Sequence, residues 1–528
     1  MSSPSLQQAA HLIGQGAHRE AFTLCLQELK ANPSDPEAAF LLGIIAAEHG
    51  NPARAEALFR STIGQLPKFS AAHAQLARSL IALSRRSEAV EAARAAAALD
   101  PDDAFTLDTI GVVLSRAGLH IEALPFYGRA TKADPGHSGY HYNHAAALQF
   151  AGDMDAARAA YRLCAATDPD DTRGLPAIVQ ITRQTTEANE VASLETMFAR
   201  HTGDPDAALR IGHALAKAYE DLKQPDRALA WLERAKTAKR AAIRHDPKAD
   251  RDLFEAAIRS ATTLRGRTSR ATGAPVFICG MPRTGTTLVD RILSSHSQLS
   301  PAGELTDFAL CLKRMTRTPS NLVLDPATLD AAAGVDLTAL GEGYMASVAA
   351  SLAPEGRFTD KMPLNILMAP VILAALPEAR VICLRRHPAD TVLSNYRQMF
   401  ATSFSYYNYA YTLEDTARYY IQFDRMVRHF ETVLPKDRFT VVHYERVVAD
   451  LETEARRLLD FCVLPFEDKC LSFHENAAPV ATASSAQVRQ PLYTTALNRW
   501  RRYEAGLKSA LDILEKAECL SPDERSPA

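Results

Sequence analysis

The sequence predicts an α-solenoid of helical hairpins followed by an α/β domain, whose parallel sheet is covered by helices and carries a P-loop-like turn. Three observations predict it. Prolines and alanines recur at a fixed interval through the amino-terminal third; short β-rich runs alternate with amphipathic helices beyond Gly273; and one of those runs ends in a glycine-bounded loop that opens a helix. A chain of 528 residues is long enough for two or more domains of ~100–200 residues each.

The repeats come first. Pro33, Pro67, Pro101, Pro135 and Pro169 stand 34 residues apart, and Ala21, Ala55, Ala89, Ala123 and Ala157 keep the same interval, which is the tetratricopeptide (TPR) period. Small residues at Ala9, Gly43, Ala77, Gly111 and Ala145 mark where the first helix of each hairpin approaches the second. Phe59, Tyr127 and Tyr161 lie four positions after the conserved-interval alanines and fill the space left by the small residues. Proline cannot continue a helix, so it marks the turn between units. Five units and a degenerate sixth around Ala216 to Lys236, containing Ala228 and Leu232, place a solenoid over residues 1–236.

Residues 237–272 are rich in Lys and Arg, as in Lys239-Arg240 and Arg265-Gly266-Arg267, and read as a linking helix and solvated connector. The second domain, residues 273–528, has β-rich runs at Val276 to Cys279, Arg357 to Thr359, Val381 to Leu384 and Phe439 to His443, separated by amphipathic helices. After the first run comes Gly280-Met281-Pro282-Arg283-Thr284-Gly285-Thr286-Thr287 and then a helix. Backbone N–H groups and the positive helix end converge there on an anion. The Gly-x4-Gly spacing is that of the P-loop, but the lysine that reaches the β- and γ-phosphates of a triphosphate is absent. Arg283 supplies the cation inside the loop, and a phosphosulfate fits better than a triphosphate.

Composition narrows the partners. A net charge of −3 gives no global drive toward nucleic acid or an anionic membrane, so anion binding has to be local. The amino terminus lacks a basic region followed by an apolar run, and the longest apolar stretch, near Ile366 to Leu376, is far short of the ~20 residues of a membrane span. Eight cysteines without CxxC pairs read as reduced thiols in a cytoplasm, Cys462 and Cys470 included. Carboxylates are not clustered at ligand spacing, so no metal is expected.

Pro282-Arg283-Thr284-Gly285-Thr286-Thr287, followed by Leu384-Arg385-Arg386-His387-Pro388 with Ser394 eight residues after Arg386, resembles the sulfotransferase family, most closely its tyrosylprotein sulfotransferase branch. The resemblance runs from about Gly273 to Leu507. It implies transfer of a sulfuryl group from 3′-phosphoadenosine 5′-phosphosulfate to an acceptor hydroxyl. Pro282, Arg283, Thr284, Gly285, Thr286 and Thr287 would hold the 5′-phosphosulfate, and Arg386 and Ser394 the 3′-phosphate. The branch has a further arginine where this chain has Gln398, next to Arg397, which implies a rewired phosphate contact.

By the same resemblance Glu304 is the base, with Asp307 its local competitor, and Lys361 in Asp360-Lys361-Met362-Pro363 stabilises the departing phosphate. The bland reading of Lys361 is a surface pair with Asp360. Tyr444 matches a residue near the nucleotide, Ser484 or its neighbour Ser485 a serine that assists the sulfuryl group, and Arg489 replaces a family lysine in a closing loop. His387, His443 and His474 read as structural or exposed.

The leading reading is therefore a sulfotransferase whose TPR arm recruits a peptide or protein acceptor, with protein tyrosine, carbohydrate, lipid and small-molecule hydroxyls all open. The alternatives are a P-loop nucleotide kinase or triphosphatase, and a non-catalytic TPR scaffold.

Overall fold

A computed structural model describes residues 3–83, 85–352, 354, 356–402, 404–476, 488–492 and 496–521. They form two compact units, Met1–Arg183 and Gln184–Ala528.

The first unit is a run of antiparallel helix pairs: α1 (Pro4–Gly14) with α2 (His18–Ala31), α3 (Pro36–Glu48) with α4 (Pro52–Gln65), α5 (Ser70–Ala82) with α6 (Arg86–Ala98), α7 (Ala104–Arg116) with α8 (His120–Ala133), and α9 (Ser138–Ala151) with α10 (Met154–Thr167), closed by α11 (Gly174–Ile181). Local chemistry sets the starts. Asp35 caps α3 by accepting the Ala38 N–H at 2.8 Å, with Pro36 in the first turn where no donor is needed. The interval alanines Ala21, Ala55, Ala89, Ala123 and Ala157 are wholly buried. A Cβ at Gly43 would lie 2.5 Å from the Phe59 ring, and one at Gly111 2.7 Å from Tyr127, so the paired helices touch where the sequence placed small residues opposite large ones.

The second unit begins with α12 (Val191–Arg200), α13 (Pro205–Asp221), α14 (Pro225–Ala242) and α15 (Pro247–Thr263). The degenerate hairpin, α13–α14, buries Ala228 and Leu232 and packs within this unit. In the basic connector, α15 buries Leu253 and Phe254, the latter edge-on to Tyr419 at 4.9 Å. Then come β1 (Val276–Gly280), α16 (Thr286–Ser294), β2 (Leu299–Pro301), α17 (Asp307–Thr316), α18 (Pro326–Ala331), α19 (Leu337–Leu352), β3 (Arg357–Asp360), α20 (Ala369–Ala375), β4 (Arg380–Arg385), α21 (Pro388–Tyr396), α22 (Leu413–Val433), β5 (Phe439–His443), α23 (Tyr444–Ala449) and α24 (Leu451–Phe461). A 3₁₀ segment, Arg499–Leu507, runs into α25 (Lys508–Lys516).

The sheet has order β2-β3-β1-β4-β5 and every pairing is parallel. Side chains alternate across it. Val276 and Ile278 join Ile382, Leu384 and Val442 in a core under α16 and α24, while Phe277 faces Phe308 and Tyr344 at 6.1 and 5.6 Å. Both faces are covered, and fully burying each such side chain contributes ~1.5–3 kcal/mol. The chain winds to one side of β1 through β2 and β3 and then crosses to β4, which opens a crevice beyond the carboxyl end of β1. The three-residue β2 escaped the sequence reading because it is too short to show alternation.

Candidate active site

The loop after β1 is a cradle of backbone N–H groups. Gly280, Arg283 and Gly285 have φ of 140°, 68° and 104°, so the chain passes three times through the left-handed region. A Cβ at Gly280 would lie 2.5 Å from the Leu384 carbonyl oxygen, and one at Gly285 2.5 Å from the Tyr444 ring, so neither position admits a side chain. Arg283 holds its positive φ without that freedom, which marks a strained turn in this loop. Thr284 is fully buried and its hydroxyl donates to the Met281 carbonyl at 2.7 Å, bracing the turn and leaving the backbone as its contribution to an anion. Thr286 and Thr287 form the first turn of α16, and Pro282 gives its carbonyl to the Asn395 side-chain amide at 2.8 Å.

Asn395 was missed by sequence reasoning. It stands on α21, one residue after Ser394, and Tyr409 donates to its Oδ1 at 2.8 Å, so a buried amide fixes the loop to the helix bearing Ser394. No spacing in the sequence signals a bond between residues 282 and 395.

Glu304 and Lys361 meet at the tips of β2 and β3. Lys361 N–H donates to the Gly303 carbonyl at 2.8 Å, which brings the two strand ends together, and the lysine ammonium pairs with the Glu304 carboxylate. Lys361 is not paired with Asp360. Asp360 is wholly buried, accepts the Tyr344 hydroxyl at 2.9 Å, and burial pushes its carboxyl up to about 8. Adjacent residues on a strand point to opposite faces, so Asp360 enters the core where Lys361 enters the site. Asp307 is turned away, accepting the Ser347 hydroxyl at 2.5 Å. Phe400 stacks on Tyr407 with centroids 4.4 Å apart, and Met399 and Phe404 are exposed. Burial, and then the Glu304 charge, raise the Tyr407 hydroxyl to about 12.

Beyond β4, Arg386 lies over the Tyr444 ring at 4.9 Å, and Tyr444 in turn covers Gly285. The Arg386 guanidinium donates to the Ala496 carbonyl and sits 3.5 Å from Asp390, yet its buried Nε has no partner among the described residues. An unmatched guanidinium donor beside a glycine cradle suits a phosphate-bearing ligand. Ser394 is partly exposed on α21. Arg397 does not replace the family arginine, because its guanidinium forks onto Glu220, and Gln398 donates to the Met399 carbonyl at 2.9 Å. Arg489 is exposed and its charge bears on the buried Arg291. Ser484 and Ser485 lie outside the described residues.

His387 stacks on Trp500 at 5.6 Å, and burial lowers the His443 pKa. All eight cysteines are free thiols. Among the described residues no group of three or more His, Cys, Asp or Glu side chains is placed to hold a metal ion, and no helix is long and apolar enough to cross a membrane.

Residues 275–468 match the Sulfotransferase family, and residues 6–68, 138–171 and 210–241 match tetratricopeptide repeats. An uncharacterized protein of Aquifex aeolicus is 28% identical over 415 residues, covering 76% of this chain and 54% of its own. A protein-tyrosine sulfotransferase of Drosophila melanogaster is 25% identical over 237 residues, covering 43% of this chain and 46% of its own. The chain thus spans about half the length of these two curated relatives. A solved sulfotransferase domain from a Synechococcus olefin synthase matches with TM-score 0.35 and 18% identity over 49% of this chain and 98% of that one. By the family matches, residues 275–468 are similar to the Sulfotransferase family and stretches ahead of them to tetratricopeptide repeats.

Proposed function

We propose that the second unit transfers a sulfuryl group from 3′-phosphoadenosine 5′-phosphosulfate to an acceptor hydroxyl. The observation that carries this reading is a lysine-free loop, Gly280 to Thr287, and the Glu304–Lys361 pair at the carboxyl ends of the neighbouring strands β1, β3 and β2. In the reaction the acceptor oxygen attacks sulfur and its proton passes to the Glu304 carboxylate. The bond from sulfur to the bridging oxygen breaks, its electron pair stays on the departing 5′-phosphate, and the Lys361 ammonium with the cradle amides stabilises that charge. Arg283 supports the equatorial oxygens, Arg386 and Ser394 hold the 3′-phosphate, and Tyr444 packs beside the nucleotide.

The acceptor side is aromatic. The Phe400–Tyr407 stack, with Met399 and Phe404 exposed beside it, favours a phenolic hydroxyl, and protein tyrosine is the acceptor proposed. Exposed Phe105 and Phe150 on the helix pairs of the first unit suit a peptide-binding role for the repeats. Free thiols suit a reducing, cytoplasmic setting.

The test is incubation of the protein with donor carrying labelled sulfate and a cell lysate, followed by mass spectrometry of labelled products. Sulfated tyrosine peptides support the full reading; label on a sugar or small molecule keeps the transfer and removes the tyrosine. Binding of ATP with magnesium in place of adenosine 3′,5′-bisphosphate would turn the assignment to a nucleotide kinase.

A further inference from the structure

We propose that the α13–α14 hairpin belongs to the donor-binding machinery, with Glu220 and Lys236 as positioning residues for the 3′-phosphate subsite. The proposal rests on the reading above that Arg386 and Ser394 hold that phosphate.

Three pieces of chain surround the subsite: Arg386 at the end of β4, α21 with Ser394, and the stretch from Ala496 onward, whose carbonyl takes the Arg386 guanidinium. Trp500 closes the same stretch onto α21, its backbone N–H donating to Asp390 at 2.9 Å. Glu220, on α13, ties two of these pieces together. Its carboxylate receives the fork of Arg397, the residue that caps α21, and also Arg499 at 3.1 Å and the Tyr503 hydroxyl at 2.6 Å. The Glu220 side chain is 11% exposed. Burial opposes its ionisation, but the Arg397 and Arg499 charges outweigh that and lower its pKa.

Lys236, on α14, reaches the same place. Its ammonium donates to the Ala410 carbonyl at 2.7 Å, lies 3.5 Å from the Gln398 carbonyl, and sits over the Tyr396 and Tyr411 rings at 5.0 and 5.3 Å. No carboxylate pairs with it among the described residues, and burial pushes its pKa down to about 7. An ammonium taken out of water is costly, and a hairpin that only stacked on its neighbours would place an apolar residue here. Glu220 spends its carboxylate on Arg397 at the carboxyl end of α21 and on Arg499 and Tyr503, and Lys236 spends its ammonium on the Ala410 carbonyl, with the Gln398 carbonyl just beyond that helix end at 3.5 Å. The hairpin also rests directly on the 3₁₀ segment, since a Cβ at Gly506 would lie 2.2 Å from Leu229.

Loosening Glu220 should therefore free α21 and the segment after Ala496 from each other and weaken the grip on a 3′-phosphate more than that of the 5′ cradle, whose turn Thr284 braces from within the loop. The experiment compares two ligands on the full-length chain by calorimetry: adenosine 3′,5′-bisphosphate and adenosine 5′-monophosphate, which lacks the 3′ group. For Glu220→Gln the Kd of the bisphosphate should rise at least ~10-fold while that of the monophosphate stays within ~2-fold, a tenfold change being about 1.4 kcal/mol. Should that variant fail to fold, Tyr503→Phe removes one hydrogen bond to Glu220 and should shift the bisphosphate alone by ~2- to 5-fold. Equal weakening of both ligands, unchanged binding of both, or tighter bisphosphate binding overturns the positioning role. Equal affinity of the two ligands for the wild-type protein instead overturns the 3′-phosphate reading on which it stands.

Discussion

Lys361 is 2% exposed and Glu304 is 42% exposed, yet their charged groups form one ion pair across the tips of β3 and β2. The pair sorts the two sides of the proposed reaction. The carboxylate faces outward, where an acceptor hydroxyl arrives, and the ammonium stays inside, where a leaving phosphate needs a compact positive charge.

Glu304→Ala should lower sulfuryl transfer at least ~100-fold, the lower end for loss of a general base. Adenosine 3′,5′-bisphosphate should bind nearly as before, because the part proposed for the glutamate lies in the chemistry and not in holding the nucleotide. Single-turnover rates with labelled donor, set beside calorimetric binding, separate the two effects. Wild-type turnover in this variant would remove Glu304 from the chemistry.

Gly285→Ala should weaken nucleotide binding by about 5- to 150-fold, the equivalent of the ~1–3 kcal/mol that such a strained position costs. Its φ is 104° and the added methyl would meet Tyr444 at 2.5 Å, so the loop must shift. Gly303→Ala is the comparison: φ is 77° but nothing lies within 4 Å, so only the backbone penalty of ~1–2 kcal/mol remains and it falls on stability. Nucleotide titration and thermal midpoints on both variants check the contrast.

His245 lies 2.7 Å from Asp250 and 3.4 Å from Asp415. Burial alone would lower its pKa, but the hydrogen bonds to the two carboxylates outweigh that and raise it to about 9. A raised folded-state pKa means that the stabilisation is whole below the ordinary value of ~6.5 and disappears as the pH climbs through about 9. His245→Gln should therefore lower the urea midpoint clearly at pH near 6 and hardly at all near pH 10. A midpoint difference that grows with pH would reverse the assignment.

In the first unit, Gly111→Ala sets two effects against each other. Helix propensity favours alanine by ~1 kcal/mol, whereas a methyl 2.7 Å from the buried Tyr127 ring overpacks the hairpin by ~1–3 kcal/mol. The net expectation is destabilisation of up to ~2 kcal/mol. Adding Tyr127→Leu should recover part of it, and a thermal midpoint for the double variant above that of Gly111→Ala alone is the outcome to look for.

Periodic elements were legible in the sequence because their physics is local. The 34-residue interval, the small-to-large matching of Gly43 with Phe59, and the glycines at 280 and 285 each follow from what a turn or a close helix contact requires of the residue itself. The strands were legible too, except the three-residue β2.

What the sequence by itself determined was the pair of architectures and the glycine-bounded loop after β1, since hydrophobic period, proline placement and glycine spacing act over a few residues. Only the tertiary structure decided the partners of the charges. Lys361 goes to Glu304 and not to its neighbour Asp360, Arg397 goes to Glu220 and not to a phosphate, and Asn395 reaches back to Pro282. The physical reason is that a buried charge or amide must be matched by whatever the fold brings within ~3 Å, and strand alternation and helix packing set that match across separations of 57 to 177 residues.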